Sequence, residues 1–215
     1  MAEGLAPPTR QDVYVIGVTG NIASGKSTVD ALLAERGASV VDADALVHQL
    51  QRRGQPVFEA IARRFGPGIV GEDGELNRQA LGALVFADAA ALRDLERLVH
   101  PAVGEETRRL LRLAPPGSVV VYDAVKLLEG GSGAWCNSVW LVLSTTEQQQ
   151  ARLVEQRGLT PEAARARVAA QSPAEAKEPL AQVIIRNSGT RDDLARQVEA
   201  AWALTAEPWL AARRR

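Results

Sequence analysis

Nothing in this chain limits its fold more than Gly20-Asn21-Ile22-Ala23-Ser24-Gly25-Lys26-Ser27, followed by Thr28. The stretch fits G-x-x-x-x-G-K-[ST], a loop that binds phosphate. Glycines let the backbone curl until successive N–H groups converge as an anion nest. The helix that follows adds unpaired N–H groups and the positive end of its dipole. The flanks agree with this. Tyr14-Val15-Ile16-Gly17-Val18 reads as a short buried strand. Val29, Leu32 and Leu33 have helical spacing, and Gly37 is placed to end that helix. Gly20 through Thr28 are therefore the expected ATP-binding segment, with Lys26 reaching the β- and γ-phosphates and the Ser27 hydroxyl on Mg²⁺.

A chain of 215 residues is long enough for one domain with a full core, expected over 12–215. The net charge of −1 gives no basic field, which excludes nucleic acid and membrane surfaces as partners. Cys136 is the only cysteine, so no disulfide can form within the chain. No apolar run reaches the ~20 residues of a membrane span. Met1–Arg10 lacks the basic and apolar regions of a secretory signal. These features predict a cytoplasmic protein with a frayed leader and a frayed Arg213-Arg214-Arg215 tail.

Ser39 to Val41 reads as a second strand, ending at Asp42-Ala43-Asp44. Ligands of open α/β sheets bind beyond the C-terminal ends of strands. One of these aspartates is thus a candidate to take a proton from an acceptor hydroxyl, and the other to cap the next helix. Residues 45–105 then read as helices without a clear strand, an insertion suited to holding an acceptor. Leu81, Leu84, Val85 and Phe86 follow Arg78 in one helix, and another runs from Ala89 to Val99. His100-Pro101 predicts a break, with a new helix over Val103 to Leu113.

Ser118 to Tyr122 is a β-branched run ending in Asp123, a position suited to holding Mg²⁺ through water. Val139 to Leu143 and Gln182 to Arg186 are further strands, the latter followed by the Asn187-Ser188-Gly189-Thr190 turn. Between them, residues 147–180 form a helix pair with a weak apolar stripe and four arginines, Arg152, Arg157, Arg165 and Arg167. Such a pair reads as a lid whose guanidinium groups close on phosphates. The pattern as a whole predicts a three-layer α/β/α fold with a five-stranded parallel sheet, a helical acceptor-binding insertion and a helical lid.

The ordered motifs resemble the dephospho-coenzyme A kinases. The resemblance runs from the strand and loop at Gly17 to Thr28, through Asp42-Ala43-Asp44, to Arg78, Leu81, Phe86, Leu95-Glu96 and His100-Pro101. It continues with Gln149, Arg152 and Arg157, then Arg167-Val168-Ala169-Ala170-Gln171, and ends in Asn187-Ser188-Gly189. Two departures stand out. Val125 and Lys126 replace a family proline and its neighbour, and Gln182 replaces a family acid.

The resemblance implies transfer of the γ-phosphate of ATP to the ribose 3′-hydroxyl of dephospho-coenzyme A. It implies Asp44 as base, with Asp42 as the alternative, and Lys26 and Arg152 on the transferred charge. Thr19, Asp44, Arg78 and His100 would face the acceptor, and Asn187 the adenine. A monomer is expected, with a weak oligomer as the alternative. The loop alone also admits a nucleoside or nucleotide kinase, or a non-catalytic nucleotide-binding module.

Overall fold

The structure, a computed structural model, describes residues 11–213. The strands are β1 (Tyr14–Thr19), β2 (Ser39–Asp42), β3 (Val119–Asp123), β4 (Ser138–Leu143) and β5 (Val183–Arg186). They form one parallel sheet in the order β2-β3-β1-β4-β5. The first strand of the chain is therefore central, flanked by β3 and β4.

Alternation along each strand explains the layers. Tyr14, Ile16, Val18, Val119, Val121, Trp140, Val142, Val183 and Ile185 share one face. Onto it pack Val29 and Leu33 of α1 (Lys26–Glu35) and Leu194, Val198, Ala201 and Trp202 of α8 (Arg191–Arg213). The intervening residues, Val15, Val120, Tyr122, Val139, Leu141 and Leu143, are also buried. A strand buried on both faces reads as a continuous apolar run, which is why these strands stand out in the sequence. Gly37, at φ +90°, turns the chain after α1 as expected.

Asp42–Arg112 is a separate compact unit, and the rest of the described chain forms the other. The smaller unit holds α2 (Ala43–Leu50), α3 (Pro56–Phe65), α4 (Arg78–Ala87) and most of α5 (Ala89–Leu113). Its only extended pairing among the described residues is a bridge between Val70 and Leu76. Leu46, Phe58, Ile61, Ile69, Leu81 and Val99 are buried within it.

Two expectations need correction. The break at His100-Pro101 is absent: α5 runs through Pro101 as one helix of 25 residues. The proline removes one N–H from the ladder, but the residues on either side keep theirs. Phe86 lies in α4 with Leu81, Leu84 and Val85 as expected, and it is 94% exposed. It lies five residues from buried Leu81, about 140° around a helix. Arg213 is not frayed either. It ends α8, its guanidinium lies 3.8 Å over the Trp209 ring, and it donates to the Gln11 carbonyl. The expectations for residues 1–10 and 214–215 lie outside the described residues.

Candidate active site

The phosphate loop adopts backbone that only its sequence permits. Gly20 and Gly25 have φ of +154° and +99°, and Ala23 is left-handed at +56°. A Cβ at Gly20 would run into the Val142 carbonyl, and one at Gly25 into Asn187 Nδ2. Gly25 is the N-cap of α1, so the helix starts at Lys26 with its first N–H groups open toward the loop. Lys26 is half-buried, and its ammonium lies 3.4 Å from the Gly20 carbonyl. Ser27 is exposed. The Ser24 hydroxyl is buried without a hydrogen-bond partner among the described residues.

Arg152 is not held out over solvent. It projects from α6 (Thr146–Arg157), which Thr145 and Gln148 start with a reciprocal capping box. Its Nη1 donates to the Ala23 and Ser24 carbonyls at 2.9 and 3.1 Å, and its Nη2 to the Asn187 carbonyl at 3.1 Å. Three of the five donors of a guanidinium are thus committed to backbone. Asn187 is buried, and its Nδ2 adds a 2.8 Å bond to the same Ser24 carbonyl. The arginine expected on phosphate therefore first shapes the loop that holds phosphate. Its other two N–H groups have no acceptor among the described residues. Of the remaining lid arginines, Arg165 pairs with Glu162 on α7 (Pro161–Ala169), and Arg157 and Arg167 are exposed.

The chain after α7 grips the loop a second time. Gln171 Oε1 accepts the Ile22 N–H at 2.8 Å, and Asn21 Nδ2 donates to the Ser172 carbonyl at 2.9 Å. Gln171 stands in a motif that was legible in the sequence, but nothing there assigned it this contact. Thr19, expected near the acceptor, is wholly buried, and its hydroxyl donates to the Val125 carbonyl at 3.0 Å. Its position is that of a brace under the loop. Glu129, a little further on, meets the Lys177 ammonium at 2.9 Å. Burial pushes its carboxyl up, but the lysine and nearby donors outweigh that and leave it below the ordinary glutamate value.

Of the two aspartates that follow Val41, one caps the next helix, as the sequence suggested one would. Asp42 is the N-cap of α2, its Oδ1 accepting from the N–H groups of Asp44 and Ala45 at 2.8 and 3.0 Å. Asp44 lies in the first turn of α2, exposed, and its carboxylate has no partner among the described residues.

Within the same helical unit, His48, Gln51, Arg52, Glu75, Leu76 and Arg78 line an open pocket of about 520 Å³. Arg78 Nη2 approaches the His48 carbonyl at 3.5 Å. His48 and Arg52 were not foreseen; His48 lies four residues beyond Asp44 on α2, and only that spacing would have hinted at it. His100 is exposed on α5 and does not line this pocket.

The donor set suits Mg²⁺. A hard cation takes oxygen ligands, keeps several waters and leans on substrate phosphates rather than on a protein cage. The expected donors, Ser27 and Asp123, carry a hydroxyl and a carboxylate of that kind, and no cluster of three or more His, Cys, Asp or Glu occurs among the described residues. No helix among them is long and apolar enough to cross a membrane.

Comparison with known proteins shows which proteins the chain resembles. The family model described as dephospho-CoA kinase matches residues 14–193. A dephospho-CoA kinase of Symbiobacterium thermophilum is 52% identical over 190 residues, covering 87% of this chain and 80% of the relative. One from Geobacter sulfurreducens is 41% identical over 191 residues, covering 88% of this chain and 97% of its own length. Among solved structures, TT1252 from Thermus thermophilus superposes with a TM-score of 0.78 at 37% identity, covering 90% of this chain and 98% of that one.

Proposed function

The chain belongs to the dephospho-CoA kinase family, and from that premise we propose how its residues divide the work. The reaction transfers the γ-phosphate of ATP to the ribose 3′-hydroxyl of dephospho-coenzyme A, giving coenzyme A and ADP.

ATP lies with its phosphates in the nest of Gly20 to Thr28. Lys26 leaves the Gly20 carbonyl for the β- and γ-phosphates, as an ammonium with a weak 3.4 Å contact can. Ser27, and Asp123 through water, would hold Mg²⁺, which would supply charge neutralisation at the phosphate oxygens. Arg152 keeps the loop in shape and turns its two free N–H groups to the phosphates. The Asn187 turn borders the adenine, and its side chain stays on Ser24.

Asp44 takes the proton of the 3′-hydroxyl as that oxygen attacks the γ-phosphorus and ADP leaves. Arg78 and His100 bind the remainder of dephospho-coenzyme A. Helices around the loop exclude water, so that the acceptor rather than solvent receives the phosphoryl group. The single cysteine and the absence of a long apolar helix among the described residues support a cytoplasmic setting. A monomer suffices, since every role falls to one chain.

The observation that carries the choice of base is the difference between the two carboxylates after Val41: Asp42 is committed as a helix cap, and the Asp44 carboxylate has no partner among the described residues. Two variants test it. Asp44→Asn should bind ATP normally yet turn over about 10²–10⁴-fold more slowly, the range of a lost general base. Asp42→Asn, which keeps a capping side chain, should stay within a few-fold of wild type. Near-normal turnover of Asp44→Asn removes it as base.

A further inference from the structure

Lys177 lies in the 3-10 turn Ala174–Leu180 and is only 8% exposed. Lysines are almost never so enclosed unless paired. Its Nζ lies 2.9 Å from Glu129 Oε1 and 3.5 Å from the Val125 carbonyl. That carbonyl already accepts the Thr19 hydroxyl at 3.0 Å. Three segments therefore meet on one backbone oxygen: the last residue of β1, directly before Gly20; the loop two residues beyond Asp123; and the turn that follows α7.

The same return segment begins with Gln171 and Ser172, which hold Ile22 and Asn21. Residues 171–177 thus grip the phosphate loop at one end and the loop after β3 at the other. Where only burial was required, an apolar side chain would serve more cheaply than a charge. What the ammonium adds is direction. With Thr19 it uses both lone pairs of the Val125 carbonyl and so fixes the peptide that follows Asp123-Ala124.

We propose that Lys177 is a positioning residue for phosphoryl transfer, holding the segment Asp123–Glu129 in register with the phosphate loop without touching either substrate. The inference rests on the reading of that loop as the ATP site. A charge placed this way acts on geometry at the moment of transfer, when a displacement of about 1 Å can cost about 10²-fold in rate. It has little to do with ground-state affinity, because the nest and Lys26 are untouched.

Steady-state kinetics of Lys177→Met and Lys177→Arg beside wild type test this, together with calorimetric ADP binding and thermal melts. Lys177→Met should bind ADP and show KM values within about threefold of wild type, while kcat falls about 100-fold. Lys177→Arg should recover most of kcat, since a guanidinium can serve both acceptors. Glu129→Gln, which leaves the lysine an acceptor and keeps the fold, should lower kcat by an intermediate factor at an unchanged melting temperature. Wild-type kcat in a folded Lys177→Met overturns the proposal. So does a loss that tracks the unfolded fraction and is not rescued by arginine. Should Lys177→Met fail to fold, Glu129→Gln decides: unchanged kcat there overturns the proposal. Wild-type protein inactive on dephospho-coenzyme A would instead refute the substrate reading.

Discussion

The phosphate loop and the helical unit Asp42–Arg112 are built on opposite plans. Around the loop, side chains are committed to backbone. Arg152, Asn187, Gln171 and Asn21 all bond main-chain groups, and three of the four do so on the loop itself. In the helical unit the candidate site side chains are exposed. Asp44 has no side-chain partner among the described residues, Arg78 has one long contact with the His48 carbonyl, and His100 lies open on α5. A triphosphate offers many oxygens in one compact arrangement, and a rigid nest recognises it with little loss of entropy on binding. A long acceptor makes few contacts per segment, and side chains still free to move can follow it. The loop is preorganised and the helical unit is permissive.

The sharpest way to break that contrast is at Gly25. In Gly25→Ala a Cβ meets Asn187 Nδ2 directly and comes within 3.6 Å of Arg152 Nη1, at a φ of +99°. Binding of ATP should weaken by about 100-fold or more, the cost of a strained backbone plus lost bonds to the loop. Normal affinity, measured by calorimetry, would mean that the loop is not held as described. The helical unit should respond more mildly. Arg78→Ala should raise KM for dephospho-coenzyme A about tenfold, the worth of one charge-assisted hydrogen bond. KM for ATP and the melting temperature should stay put, since the residue is exposed. A matching rise in the ATP KM would blur the two plans into one.

The smallest effect is the absence of one. Burial pushes the Cys136 thiol up to about 12 from an ordinary 9.0. Its proton therefore stays on at any pH below that, and at pH 8 the thiolate is about 10³-fold scarcer than in the unfolded chain. Iodoacetamide should leave the native protein unlabelled and label it in urea, as read by mass spectrometry. Rapid native labelling would show that the interior beneath β1, where a Cβ on Gly17 would meet the Cys136 sulfur, is looser than its packing suggests.

Much of the fold was legible because its physics is local. Apolar runs mark buried strands, and the glycines of the loop are dictated by positive φ and close approach. Thr160 and Pro161 announce α7, and Thr160 does cap it. What escaped depends on partners distant in sequence. Pro101 signals a break, yet α5 continues through it. The direction of Arg152 is set by carbonyls 128 and 129 residues away. Lys177 looks like any surface lysine until Glu129 and Val125 are placed beside it. The departure at Gln182 also becomes intelligible only in the fold. Its Oε1 accepts the Val139 N–H at 2.7 Å while its own N–H donates to the Val139 carbonyl. A family acid there could accept the same bond, so the change keeps the contact and drops a charge.

The bond from Asn187 to Ser24 spans 163 residues, and β1 pairs only with strands that begin more than a hundred residues later. A chain leaving the ribosome therefore presents its phosphate-binding sequence long before it can assemble the site. Until β3, β4 and the Asn187 turn have emerged, the glycine loop lacks both the neighbours of its strand and the clasp on its backbone. Nucleotide capture is thereby deferred until those segments have emerged. A fragment truncated before residue 187 would carry the complete motif and still fail to form the site.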